Sequence, residues 1–450
     1  MPANECLTLA RCDESAKTPL QLRPVSLQCM PVPPPAAVPS SATSGKSRAP
    51  SIALVACALA LLLGLQPVAT DIYLPALPAL TRDLGASIST AQLTMSALIL
   101  AFGLAQLIWG PVADRVGRRP VLLYGLALYT AASIGSTLAP NIEVLIGWRV
   151  LQGVALAAAV VCARAMLRDL YEPHQGAQVM SLGLSGLGVI AIAGPVLGGL
   201  VATAAGWRAA LALVAVMGAV TWLFVALRLP ETLPAKNPHA TAPLALLGNW
   251  WRIARNPTFV AWTLLCSCTY GGLFTILAGS SFIYIDVLGL SPAVYGLAMG
   301  SASASYLAGT FVCRRWVASV GMTRAVGRAA VFSLGGGALI VVLTLANVQS
   351  VWAVLLPQWL FAFGHGVHQP CGQAGAVGPF PKNAGAASAL AGFVLAGTAF
   401  GVGLWLGQAL DGRVLPYALG VGLWGLLTAT VAWTLVQRHG HASGSAVDQQ

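Results

Sequence analysis

The sequence predicts an all-α membrane protein of twelve transmembrane helices in two six-helix halves. Three observations carry that prediction. Only 8% of the 450 residues are charged and 57% are hydrophobic, with a mean hydropathy of +0.77, whereas a soluble globular chain carries about 25% charged residues. Apolar runs long enough to span a bilayer recur along most of the chain. A polar interval at 229–258, with Pro230, Pro234, Pro238 and Pro243, divides those runs into two equal sets.

Taken in order, residues 1–51 read as a disordered tail, because Pro31, Pro33, Pro34, Pro35, Pro39 and Pro50 accompany the run SSATSGKSR. The tail holds no apolar core long enough for a signal peptide, and Met30 is an alternative start. The first half, 52–228, has runs near 52–80, 88–110, 120–139, 143–167, 177–203 and 207–228. After the 229–258 linker, the second half, 259–436, has runs near 259–285, 292–313, 325–346, 351–373, 384–409 and 414–436. A short tail at 437–450 ends the chain.

Orientation follows from the basic residues. With both termini cytoplasmic, only Arg82, Arg208 and Arg413 of the 24 Lys and Arg fall outside, and Arg149 lies within the membrane. The net charge of +11 is thus spread over short loops between apolar runs, which argues against a nucleic-acid partner. Nine cysteines are scattered, and only Cys266 and Cys268 are close. Two apart on a helix they point to different faces, so neither a disulfide nor a metal site is implied.

The segment GPVADRVGRRP, Gly110 to Pro120, reads as a short basic loop between the second and third runs. Gly110 allows close helix contact, and Pro111 follows at the helix end. Asp114 is a lone acid among Arg115, Arg118 and Arg119, able to pair with them or to cap a neighbouring helix. Gly117 permits a turn with positive φ, and Pro120 suits the first position of the next helix. Topology alone explains the arginines but not the Gly, Asp and Pro spacing. The second half keeps a trace of this order in Val320-Gly321, with Ala318 at the acid's position.

Inside the apolar runs, polar residues are few. Asp71, in QPVATDIYLPALP, lies well within the first run. An Asp at a helix centre costs roughly 2.5–3.5 kcal/mol to insert, so it should face a cavity or a partner. Pro67, Pro75 and Pro78 flank it and break helix hydrogen bonds, as backbone lining a cavity allows. Arg149 lies about two turns into the fourth run, where it either snorkels outward or turns inward. The fifth run, Gly186 to Gly199, places Gly188, Gly194 and Gly198 for close packing and Pro195 for a kink. His365, His368 and Gln369 share one helical face at spacings of three and four. Two readings stand for the histidines: a proton relay or substrate contact, or polar lining of a wet cleft. No third ligand of suitable spacing supports a metal site.

These motifs carry a resemblance. GPVADRVGRRP resembles the loop between helices 2 and 3 of the major facilitator superfamily, which latches one half of those transporters against the other. The resemblance makes Gly110, Asp114, Arg115, Gly117, Arg118 and Arg119 the latch, with Asp114 facing the N-terminal end of helix 11 near Asn383 and Gly385. Arg149 followed by Gln152-Gly153 is similar to the superfamily's helix 4 motif, whose Arg lines the central cavity near a proton-linked acid. An Asp71–Arg149 pairing is therefore implied. Gly194-Pro195 followed by Gly198-Gly199 resembles the motif of the drug/proton antiporter branch. TDIYLPALP, RAMLRDLY and GPFPKNAGAASALAGF resemble the Bcr/CflA group, exporters of bicyclomycin and chloramphenicol-type drugs by proton antiport. The resemblance covers about 52–436, and helix 10, with FGHGVHQPCGQ, departs from it.

The expected protein is a monomeric, multi-pass proton antiporter of a bacterial inner membrane, surrounded by lipid and exporting a small, fairly apolar molecule. It needs no cofactor, and without a phosphate-binding loop ATP is not its energy source. An importer of the same fold is the first alternative. A membrane-embedded enzyme is the second, and would call for an Asp, His and Glu constellation that the helices lack.

Overall fold

The computed structural model describes residues 51–440 apart from Pro234, Ala235, His239 and Ala242. The expected N-terminal tail, but for Ser51, and the end of the C-terminal one lie outside the described residues. All regular structure among the described residues is helical, as the composition requires. The chain first crosses as α1 (Ile52–Asp71), passes a 3-10 turn at Leu74–Ala76, and finishes the crossing as α2 (Leu77–Asp83). Next come α3 (Ile88–Val116), α4 (Arg118–Thr137), α5 (Ile142–Leu170) and α6 (Pro173–Arg228). Gly206, at φ 79°, breaks α6 into two crossings, 173–205 and 207–228. The short α7 (Pro243–Ala254) follows. The second half holds α8 (Pro257–Ser281), α9 (Pro292–Val320), α10 (Met322–Leu345), α11 (Val351–Val377), α12 (Ala384–Ala409) and α13 (Val414–Trp433), with α14 (Leu435–His439) extending the last crossing.

Helix starts are written in the sequence as caps. Ser51, Ser87, Asn141, Asn256, Ser291 and Ser350 each accept from a backbone N–H two or three residues on, at 2.9–3.3 Å. Such a cap satisfies one of the donors that a helix start leaves unpaired. Eight segments among the described residues are long and apolar enough to cross a membrane, and one of them spans the Gly206 break. The more polar or glycine-rich α4, α9 and α11 complete the twelve crossings, so the expected fold class is borne out.

Two local expectations are corrected. The basic segment is not a loop: α3 continues through Pro111 to Val116 and α4 starts at Arg118, leaving only Gly117 outside a helix. Gly117 makes the whole reversal at φ 124°, so Pro120 falls inside the first turn of α4 and not at its first position. Gly321, at φ 80°, makes the same turn between α9 and α10, which is the structural counterpart of the Val320-Gly321 trace. The linker, in turn, is not wholly irregular, because α7 lies within it and packs against α8 and α12.

The halves meet along two seams, α3 against α12 and α6 against α9. Both depend on missing side chains. A Cβ on Gly103 would lie 2.2 Å from Cβ of Ala396, and one on Gly199 would lie 2.3 Å from the carbonyl of Pro292. On the face that bears Asp83, Arg82 pairs across the halves with Asp286 at 2.6 Å, and Gln92 donates to the Ala278 carbonyl at 2.6 Å. Arg208 and the Trp207 indole both reach Asp83 there. The opposite, basic face carries the Gly117 turn and Arg164.

Candidate functional site

Asp71 is the last residue of α1, where Pro67 and the following 3-10 turn interrupt helix hydrogen bonding. It is buried, and its carboxylate accepts from the Thr70 hydroxyl at 2.7 Å. The Thr70 hydroxyl can also reach the Gln66 carbonyl, at 3.2 Å. No cation stands within 4 Å of Asp71 among the described residues, whose ion pairs lie elsewhere. The glycine motif of α6 packs directly on this break. A Cβ on Gly194 would touch Cβ of Asp71 at 3.5 Å, and one on Gly198 would lie 2.4 Å from the Ile72 carbonyl. Gly199 faces α9, whose Gly296 in turn lies against the Pro195 carbonyl. The acid, the kink and the inter-half seam are therefore one assembly.

Arg149 is fully buried and turned inward. Its guanidinium donates to the carbonyls of Ala69 at 3.0 Å and Thr94 at 3.3 Å, and to Oε1 of Gln152 at 2.7 Å. It also stacks 4.3 Å above the Tyr73 ring. Arg149 thus grips the backbone two residues before Asp71, and the implied direct Asp71–Arg149 contact is absent. The physical reason is that the Ala69 and Thr94 carbonyls, Gln152 and the Tyr73 ring already satisfy the cation.

Between the halves, toward the basic face, lies a cavity of about 90 Å³. Gln66, Phe102, Gln106, Arg164, Thr263 and Gln369 are among its walls. Gln66 is five residues before Asp71, or about 7.5 Å along a helix. Gln369 lines the cavity as a polar group on α11, but the histidines do not. His365 bonds the Thr269 hydroxyl at 3.0 Å and packs on the Tyr306 ring. His368 faces α10, with its Nε2 3.2 Å from the Val326 carbonyl and its Nδ1 3.4 Å from the Ser333 hydroxyl. A spacing of three on α11 turns them toward different neighbours. No group of three metal-ligating residues occurs among the described residues.

At the basic face, Asp114 pairs with Arg118 at 2.6 Å, and Arg118 also holds Asp169 at 3.0 Å. The first turn of α12 faces Arg168, near Gly385, and Arg164, which donates to Ser388 at 2.9 Å. Asp114 is bound to its own half in this structure and not to Asn383 or Gly385. Arg115 bonds Thr241 of the linker, and Arg119 bonds the Ala226 carbonyl. Gly110 faces α5. Sequence reasoning missed Tyr73, Gln106, Thr263 and Glu231. Each is a single polar residue in a segment without polar periodicity, and its surroundings include elements distant in the chain.

Twelve crossings in two halves, with a buried acid at a broken helix and a cavity between the halves, are the architecture of a secondary transporter. The chain belongs to the Major Facilitator Superfamily, whose pattern it matches over residues 59–403. It is 32% identical over 335 residues to multidrug resistance protein D of Escherichia coli strain K12, covering 74% of this chain and 83% of that one. It is 31% identical over 393 residues to a chloramphenicol resistance protein of Pseudomonas aeruginosa, covering 83% and 84%. These relatives bear out the resemblance to drug/proton antiporters of the Bcr/CflA type. A crystal structure of a D-xylose–proton symporter shares the fold, with a TM-score of 0.70 at 15% identity, over 87% of this chain and 99% of that one.

Proposed function

We propose that this chain is a proton-coupled antiporter that exports small, fairly apolar drugs or metabolites across a bacterial inner membrane, working as a monomer with both termini cytoplasmic. The observation that carries the reading is Asp71, a buried carboxyl with a hydroxyl donor and, among the described residues, no cation within 4 Å, at a helix break packed on a glycine seam. An antiporter needs a group that binds a proton in one state and releases it when substrate enters. A carboxyl group in a membrane cavity suits this, since its protonation responds to desolvation and to nearby charge. Arg149 positions the acid by holding the Ala69 carbonyl. Gly194, Pro195, Gly198 and Gly199 let the break move against α9 as the halves rock. The segment from Gly110 to Arg119 serves as the latch on the cytoplasmic side, and the charge bias of the loops supports that orientation. Relatives named for multidrug and chloramphenicol resistance support export over import.

The test is drug susceptibility of cells expressing the chain, with and without a protonophore, alongside proton release from purified protein on drug addition. Asp71→Asn should reach the membrane yet lose export against a gradient and lose proton release, whereas Asp71→Glu should keep part of both. Wild-type export and proton release by the Asn variant would remove Asp71 from coupling. Drug-stimulated uptake in place of export would favour the importer.

A further inference from the structure

Arg164, at the basic face, is a cation with no acid paired to it among the described residues. Its Nη1 donates to the Ser388 hydroxyl at 2.9 Å. It faces the first turns of α12, whose N-terminal end is itself partly positive. Arg168 adds a second cation, 3.4 Å from where a Cβ of Gly385 would sit. An isolated guanidinium keeps most of its five donors for a ligand.

The cavity walls beside it point the same way. Gln106 is 3% exposed and Thr263 is 4% exposed. The Gln106 amide nitrogen and the Thr263 hydroxyl have no hydrogen-bond partner among the described residues. Both line the cavity with Arg164. A buried polar group left unpaired is destabilising, so such groups mark places where a ligand's atoms complete the bonding. One acceptor, Oε1 of Gln369, is likewise unpaired. Among the described residues no Asp or Glu lines the cavity, while Ile99 and Phe102 supply apolar wall.

We infer that this cavity is a subsite for the carboxylate of a small organic acid that also carries a hydroxyl and an apolar body. The carboxylate sits on Arg164, Gln106 and Thr263, and the hydroxyl donates to Gln369. At about 90 Å³ the cavity holds a head group and not a whole drug, so the body enters as the halves part. The inference rests on the exporter reading and narrows its substrates to weak acids, with cations disfavoured. Substrate binding also competes with the Arg164–Ser388 bond that ties the halves together, so the head group loosens the closure of the basic face as it docks.

The test is calorimetric titration of the full chain in detergent with salicylate, with salicylamide as the uncharged match, and with tetraphenylphosphonium as competitor. Salicylate should bind at least about tenfold tighter than salicylamide, the ratio expected when a charge-assisted bond replaces a neutral one, and tetraphenylphosphonium should displace neither. Arg164→Gln should bring the two affinities together, and Arg164→Lys should keep most of the preference. Equal affinities, no measurable salicylate binding, or a preference that survives in Arg164→Gln would overturn the subsite. Should the Gln variant lose both probes, the Lys variant decides: a preference kept supports the inference and a preference lost overturns it. Drug export with no acid preference would leave the exporter reading standing, and acid preference without proton-driven export would do the reverse.

Discussion

Four backbone N–H groups converge on the Glu231 carboxylate at 2.9–3.2 Å, and two of them belong to Arg118 and Arg119 in the first turn of α4. Burial works against the charged form, but these donors outweigh it and hold the carboxyl below its ordinary value of 4.5. A group depressed in the folded state stabilises above its unfolded pKa and loses that stabilisation as pH falls through its folded pKa. Glu231→Gln should therefore cost about 1 kcal/mol, the usual worth of a helix cap. In thermal unfolding of purified protein the difference between wild type and variant should stay constant from neutral pH down to about pH 5 and shrink below pH 4.5. A gap that widens on acidification would contradict the assignment. Asp114 is the neighbouring case. It shares Arg118 with Asp169, so Asp114→Asn should slow transport only a few-fold, as half-exposed pairs are worth about 0–1 kcal/mol. An unchanged transport rate would remove Asp114 from the latch.

At the scale of elements, the α6 glycines separate packing from function. At Gly194 an added methyl meets Asp71 at an ordinary 3.5 Å, whereas at Gly198 it would lie 2.4 Å from the Ile72 backbone. Gly194→Ala should therefore fold normally, while Gly198→Ala should lose about 1–3 kcal/mol through overpacking that a backbone carbonyl cannot relieve. Melting temperatures in one detergent compare the two directly, and equal values would mean that α1 and α6 are free to slide. The twelve crossings were legible because apolar length and the cap residues Ser87, Asn141 and Ser291 are local signals. The Gly117 turn was legible for the same reason, but the helicity of 110–116 was not, since the arginines there look like a loop and helix hydrogen bonds carry no sequence mark. Asp71 could be found because an acid in an apolar run is conspicuous. Its separation from Arg149 could not, because that depends on which carbonyls lie within reach of the guanidinium. Gln106 and Thr263 were equally hidden, since their cavity exists only once α3, α8 and α12 come together.

For the whole molecule, the proposed pairing of one coupling acid with an acid-binding cavity implies a charge balance. In the proposed cycle a single carboxyl, Asp71, carries one proton inward per turnover. If the exported molecule is neutral, one positive charge moves in; if it is a monoanion, its exit adds a second. Each charge crossing a potential of 100 mV is worth about 2.3 kcal/mol, so a weak acid is driven by about twice the electrical work available to a neutral drug. A monocation would cancel the proton's charge and gain nothing from the potential. This ordering agrees with a cavity that offers its guest Arg164 and, among the described residues, no carboxylate. Protein reconstituted in liposomes on a solid-supported membrane should move twice as much charge per molecule of salicylate as per molecule of salicylamide, with the sign of positive charge moving against the substrate. Arg164→Gln should lower the salicylate signal by reducing its binding, with the charge per transported molecule unchanged. Asp71→Asn should reduce the charge per transported salicylate to that of the anion alone. Equal charge per molecule for both probes would mean that the acid is carried with its own proton, and that the carboxylate does not cross on the arginine.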